Sequence, residues 1–238
     1  MQYGQYTVTY ITNTEGMGNL KILVACEESQ AVTKEFRKLG HEAYSCDMLP
    51  CSGGHPEWHI KGDAIKEAYS GKYDLMVAHP PCTYLAVSGA RWMYNKDGTV
   101  NQNRLKNQNE ALDFVKQLME APIKHIAVEN PVSVISSKIR KPDDIIQPYM
   151  FGDKATKTTC LWLKDLPKLQ ATNVVEKGDF FEWVDKNGKK KRQAQWYMDA
   201  LSKAKSPEER RTLRSKTFTG IAQAIATQYS DYIYKSNG

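Results

Sequence analysis

No two of the five cysteines, at positions 26, 46, 51, 82 and 160, stand in a Cys-x-x-Cys pair, so neither a disulfide framework nor a structural zinc site is expected. A reducing cytoplasm is the setting that fits. No apolar stretch comes near the roughly 20 residues a membrane helix needs, and no membrane partner is expected. Met1 to Asn19 lacks both a basic n-region and a long apolar h-region, and reads as a flexible tail ahead of one folded domain over residues 20–238. There is no internal repeat and no low-complexity tract, which excludes solenoids and arrays. An acidic excess is missing too: the formal charge is +6. Much of it gathers in Lys186, Lys189, Lys190, Lys191 and Arg192, and again in Arg210, Arg211, Arg214 and Lys216. Such clusters suit phosphate contacts that weaken with salt, and a solvated turn with a charged helix face would carry the same residues.

What is present is an alternation. Apolar Ile22-Leu23-Val24-Ala25 precedes a helical stretch from about Ser29 to Leu39, which Gly40 stops. His41 to Cys46 reads as a short strand ending at Asp47, Ala64 to Tyr69 as a short helix and Leu75 to Ala78 as a strand. Asn103 to Glu120 spaces Leu105, Ala111, Leu112, Val115, Leu118 and Met119 as an amphipathic helix leading into a strand at Ile126 to Val128. Strands alternating with helices predict an α/β fold with a doubly wound, mostly parallel sheet. After Pro131 the rhythm breaks. Thr159 to Leu163 is expected as a strand and residues 178–215 as a small inserted basic segment with a turn at Asp185-Lys186-Asn187-Gly188. Gly220 to Tyr232 is expected as a closing helix.

Two strand ends carry chemistry: His79-Pro80-Pro81-Cys82 and Glu129-Asn130-Pro131. Neighbouring parallel strands bring a thiol and a carboxyl to one sheet edge, where open α/β sheets place ligands. A nucleophile beside an acid suits covalent chemistry on an electrophilic ring. A free thiol has a pKa of about 8.5, so Cys82 needs activation, and His79 is a candidate contributor. Pro80 and Pro81 stiffen the backbone before Cys82 and withhold their N–H groups. A small buried cysteine and an ordinary charged strand end would leave the same letters at 82 and 129. His55, Glu57 and His59 lack a further His or Cys, so no metal is expected. A zinc-deaminase pattern fails because its second cysteine would fall at Leu85.

Gly62-Asp63-Ala64, then Tyr73 to Cys82, then Glu129-Asn130-Pro131 form an ordered set that resembles the cytosine-5 DNA methyltransferase family, particularly its short phage-type members, over roughly Lys21 to Tyr232. The resemblance implies a Rossmann-like methyltransferase fold in a bacterial or phage-infected cytoplasm. It implies S-adenosylmethionine as methyl donor and double-stranded DNA as partner, with the target cytosine flipped into the pocket. Cys82 would then add to cytosine C6, Glu129 would hold or donate a proton at N3, and Asn130 would brace the Cys-bearing loop. The donor pocket would draw on Glu27 or Glu28 for the methionine amine or sulfonium, Asp47 for the ribose, and Asp63, Ala64 and Pro80 around the rest of the donor. Arg140, Lys157, Lys190 and Arg192 are the candidate DNA contacts. Lys157 to Trp162 and Arg214 to Ala222 resemble further segments of the phage-type members, the second standing where the family's last motif returns to the donor pocket.

Two departures open alternatives. Where the family has a Gly-rich turn this chain has Ala25-Cys26-Glu27-Glu28-Ser29-Gln30, which leaves room for a non-catalytic DNA-binding protein on the same scaffold. Only about Gly178 to Ser215 stands in place of a large recognition domain, which leaves room for a free deoxycytidine nucleotide as substrate.

Overall fold

Successive residues of the first apolar run turn to opposite faces of a sheet, and both faces are covered, so the run has no polar alternation. The computed structural model that shows this describes residues 19–206, 209–210, 213, 215 and 217–237. The expected tail up to Gly18, and Arg211, Arg214 and Lys216 of the second basic cluster, lie outside the described residues.

In chain order the elements are β1 (Lys21–Ala25), α1 (Ala31–Lys38), β2 (Glu42–Asp47), β3 (His59–Lys61), α2 (Ala64–Ala68), β4 (Leu75–Ala78), α3 (Gln102–Glu120) and β5 (His125–Pro131). They continue with α4 (Ile135–Lys138), β6 (Asp144–Ile146), β7 (Thr159–Lys164), β8 (Phe180–Val184), β9 (Lys190–Ala194), α5 (Gln195–Lys203) and α6 (Thr219–Asn237). Seven strands form one sheet in the order β3-β2-β1-β4-β5-β7-β6. The first five are parallel, and β7 runs antiparallel to both of its neighbours. This is the doubly wound α/β fold that the alternation predicts.

Ile22, Val24, Leu75 and Val77 pack on one face with Val32 and Phe36 of α1 and Ile221, Ile225 and Tyr229 of α6. Leu23, Met76, Ile126 and Val128 pack on the other with Val115 and Leu118 of α3 and with Trp162. Each such buried aliphatic side chain contributes about 1.5–3 kcal/mol, so the two layers hold the sheet from both sides. Gly40 ends α1 at φ +86, a conformation that disfavours any Cβ. Among the described residues no helix is long and apolar enough to cross a membrane.

The strand order reverses between β1 and β4, so the loops after them splay to opposite faces and leave a crevice at their carboxyl ends. Ala25, Asp47, Ala78 and Pro131 all finish there. Because β7 is antiparallel, pairing Pro131 with Thr159, it is the start of β7 that reaches this edge.

Candidate active site

At the edge, β4 and β5 end side by side, with Ala78 paired to Val128. The residues just beyond them meet: His79 Nδ1 donates to Glu129 Oε2 across 3.0 Å, with both side chains largely out of water. Burial pulls the imidazole's pKa down, but the hydrogen bond to Glu129 and the negative charges of Glu129 and Glu27 outweigh it and hold His79 above its ordinary value, with Lys157 opposing. Burial pushes the Glu129 carboxyl up, yet the His79 bond and the positive charges of His79 and Lys157 outweigh that and hold it below the usual range. Both shifts favour the charged forms, an imidazolium facing a carboxylate. The second imidazole nitrogen, Nε2, is buried without a hydrogen-bond partner.

Asn130, 1% exposed, donates from Nδ2 to the carbonyl of buried Pro80 across 2.8 Å. This ties the end of β5 to the loop that carries Cys82. The far side of that loop is gripped from α3: Arg104 donates to the Thr83 carbonyl at 3.0 Å, Gln108 to the Tyr84 carbonyl at 3.0 Å, and the Arg104 guanidinium lies 4.9 Å from the Tyr84 ring centroid. Between these holds Cys82 is the one exposed cysteine of the five. Burial raises the thiols of Cys26 and Cys160, and pushes that of Cys46 up to about 12, which keeps all three neutral. Cys82 is thus not the buried structural thiol that its letters alone allowed.

The donor side is built differently from the sequence expectation. Glu27, 5% exposed, accepts from the Val32 and Thr33 amides at 2.7 and 3.2 Å and from the Thr33 hydroxyl at 2.7 Å. Both of its oxygens serve the N-terminus of α1, whose own N-cap residue, Gln30, makes no side-chain cap. Glu27 thus has a structural role at the helix start that its letter alone did not reveal. Glu28 bonds the Ser52 hydroxyl. The missing glycines are replaced by residues held in the left-handed region, Cys26 at φ 60 and Gln30 at φ 57, each at a cost of about 1–2 kcal/mol. Gln30 is fully buried and is locked by the His55 amide, the His55 carbonyl and the Cys51 thiol. Asp47 bonds the Leu49 amide and exposed Asp63 caps α2 through the Ile65 amide, both at 2.8 Å through one oxygen. After burial, both charges add to raising the thiol of Cys26. Ala64, 5% exposed, packs beneath the Asp63 turn.

Of the four basic candidates, Arg140 is exposed but engaged by its own neighbours. Its guanidinium pairs with Asp143 at 2.6 Å and donates to the Leu163 carbonyl at 2.9 Å, which braces β7. Lys157 stands just before β7 at the site edge, where it acts on both His79 and Glu129. Lys190 and Arg192 are exposed on β9, which belongs to a separate two-stranded sheet. His55 stacks on Trp58 with centroids 3.9 Å apart, while His59 bonds Ser45 and the Leu49 carbonyl. Among the described residues no three His, Cys, Asp or Glu side chains gather in a metal-holding group.

Sequence reasoning passed over Val87 to Val100, which follows the Cys82 loop. It leaves Trp92 58% and Tyr94 60% exposed, with the Arg91 guanidinium 4.7 Å from the Trp92 ring. The signal was an aromatic pair flanked by Arg91 and Lys96 without helical or strand period.

No family model matches the chain, and no curated protein does. Among solved structures, one similar chain is described as a DNA modification methyltransferase encoded within a prophage (E. coli), at 11% identity and a TM-score of 0.38. The match covers 61% of this chain and 46% of that one, so this chain spans less than half of that structure. What the site does is read from its own residues.

Proposed function

We propose that this protein methylates C5 of cytosine in DNA with S-adenosylmethionine, through a covalent bond between Cys82 Sγ and ring carbon C6. The observation that carries this reading is the exposed Cys82 on a loop pinned through Pro80 to Asn130, next in sequence to a Glu129 that is hydrogen-bonded to His79.

C5 of cytosine is a poor nucleophile until something adds at C6. The Cys82 thiolate forms the Sγ–C6 bond and the ring's electron pair shifts toward C5 and N3. Glu129 accepts from the exocyclic amine and passes to N3 the proton that His79 Nδ1 supplies to it across their hydrogen bond. C5 accepts the methyl group and then loses its proton to water; that C–H pair forms the C5–C6 double bond as Cys82 departs from C6 with the C–S pair, and N3 returns its proton through Glu129 to His79. His79 keeps the Glu129 carboxylate in one orientation, and Asn130 holds the Cys82 loop against β5.

The donor edge fits S-adenosylmethionine in the character of its groups. Asp47 and Asp63 each keep one oxygen outside their local turn bond, suited to ribose hydroxyls and an adenine amine, and the acidic loop would repel a dinucleotide's phosphates. Bound there, the donor supplies an electrophilic methyl group.

The test is transfer of a tritiated methyl group to a cytosine-containing duplex, run beside a deoxycytidine mononucleotide. Duplex labelling by wild type and none by Cys82→Ala is expected; labelling by Cys82→Ala would overturn the covalent route. Preference for the mononucleotide would move the substrate to the free nucleotide. Calorimetric titration with S-adenosylhomocysteine separates the enzyme from a non-catalytic DNA binder, which would not bind it.

A further inference from the structure

The five cations between residues 186 and 192 belong to a two-stranded ribbon, β8–β9, that joins no other described strand. Its register pairs Phe181 with Gln193 and Trp183 with Lys191, and, one step out of phase, Glu182 with Arg192 and Val184 with Lys190. Strand side chains alternate in direction, so Phe181, Trp183, Lys191 and Gln193 share one face. Phe181 is 44% and Trp183 41% exposed, with ring centroids 5.9 Å apart. On the other face Arg192 lies 4.8 Å from the Phe180 ring. Asp185 lies 3.9 Å from Lys191 and also accepts from the Asn187 and Lys189 amides of the turn, while Glu182 stands across from Arg192 on the other face. A lone hairpin is marginal in water, and an aromatic face ringed by like charge is the composition of a surface that meets an anionic partner.

The base of the ribbon is fixed beside the active site. Gly178, at φ +77, lies so close to Lys154 that a Cβ there would come 2.2 Å from its carbonyl oxygen. At the other end Trp196 donates to the Thr156 carbonyl at 2.9 Å and packs edge-on against Phe218 at 5.4 Å. Thr156 directly precedes Lys157, whose charge reaches Glu129. The ribbon therefore springs from the same edge that presents Cys82.

We infer that the β8–β9 ribbon docks in the major groove of duplex DNA, with Phe181, Trp183, Lys191 and Gln193 toward the base edges and Lys190 and Arg192 toward the phosphates. This rests on the reading of the Cys82 site as one that acts on DNA. The major groove admits a two-stranded ribbon; there Lys meets guanine acceptors, Gln meets adenine, and an aromatic ring meets a thymine methyl. Five cations in the turn and second strand supply the sequence-independent part of the binding.

The experiment measures fluorescence anisotropy of a dye-labelled cytosine-containing duplex, and of one of its single strands, with the full chain across a salt series. Trp183→Ala and Lys191→Glu are each expected to weaken duplex binding about tenfold or more, with melting temperature unchanged and Lys191→Arg restoring affinity. Lys190→Ala with Arg192→Ala is expected to reduce the slope of log affinity against log salt by about 1.8, or about 0.9 per phosphate contact. Duplex affinity in Trp183→Ala and Lys191→Glu within about twofold of wild type, well under the loss expected of a base contact, overturns the inference. So does tighter binding of the single strand. Because binding is read without turnover, the two proposals fail separately. Loss of binding in the variants with no methyl transfer by wild type leaves the ribbon standing and removes the methyltransferase reading, and the reverse pattern does the opposite.

Discussion

His79 Nδ1 and Glu129 Oε2 lie 3.0 Å apart at the ends of adjacent parallel strands, largely out of water, and each favours the charged form of the other. Breaking one half of a buried pair strands the other charge, at about 3–5 kcal/mol. His79→Ala is expected to cost about 3 kcal/mol, with Lys157 left as the nearby cation, and to lower methyl transfer. Urea denaturation and initial rates check both. Glu129→Gln is expected to reduce the rate by about 10²–10⁴.

The same pair sets a pH dependence. His79 is raised above its ordinary 6.5, so its contribution to stability is complete below that value and fades as pH rises through the higher folded pKa. Glu129 is lowered below its ordinary 4.5, so its contribution is complete above that value and fades as pH falls through the lower folded pKa. The pair therefore supports the fold most fully between 4.5 and 6.5. The stability difference between wild type and His79→Gln should narrow as the medium turns alkaline, and an undiminished difference there would count against the ion pair.

Asn130→Ala removes the donor to the Pro80 carbonyl. Leaving a buried acceptor unpaired costs about 1–3 kcal/mol. The turnover number should fall while affinity for S-adenosylhomocysteine stays, because the loss is in the placement of Cys82. A variant with unchanged turnover would remove Asn130 from the positioning role.

Glu27 closes the N-terminus of α1, so Glu27→Ala is expected to lower stability by about 1–2 kcal/mol, with Glu27→Gln milder. S-adenosylhomocysteine binding should be nearly unaffected in both at a temperature where they stay folded. A large loss of donor affinity in folded Glu27→Gln would return this residue to the donor site.

Gly220 donates to Asp153 at 2.9 Å and sits so close to Phe151 that a Cβ would come 1.8 Å from its carbonyl oxygen. Gly220→Ala must move the first turn of α6 off Phe151, and overpacking of this kind costs about 1–3 kcal/mol. A thermal melt of the variant reads it directly.

The β1, β4 and β5 runs were legible because a strand covered on both faces is written as consecutive apolar residues, and α3 because its apolar positions recur at helical spacing. The strand ends at Cys82 and Glu129 followed from those runs. β3 and β6, three residues each, are too short to carry a period. The Asn-Gly turn was legible in the ribbon, but the face on which Trp183 and Lys191 meet needs the cross-strand register.

Residue order alone therefore established the parallel core and the two chemical groups at its edge, because local propensity and burial pattern are written in adjacent letters. Direction and partnership were decided in three dimensions. An apolar run does not say which way it lies, so the antiparallel entry of β7 that brings Lys157 to Glu129 appears only when the sheet closes. Nor does a charged letter say what it faces. Glu27 holds a helix and Arg140 holds a strand, because packing put an amide or a carbonyl within reach before any ligand arrived.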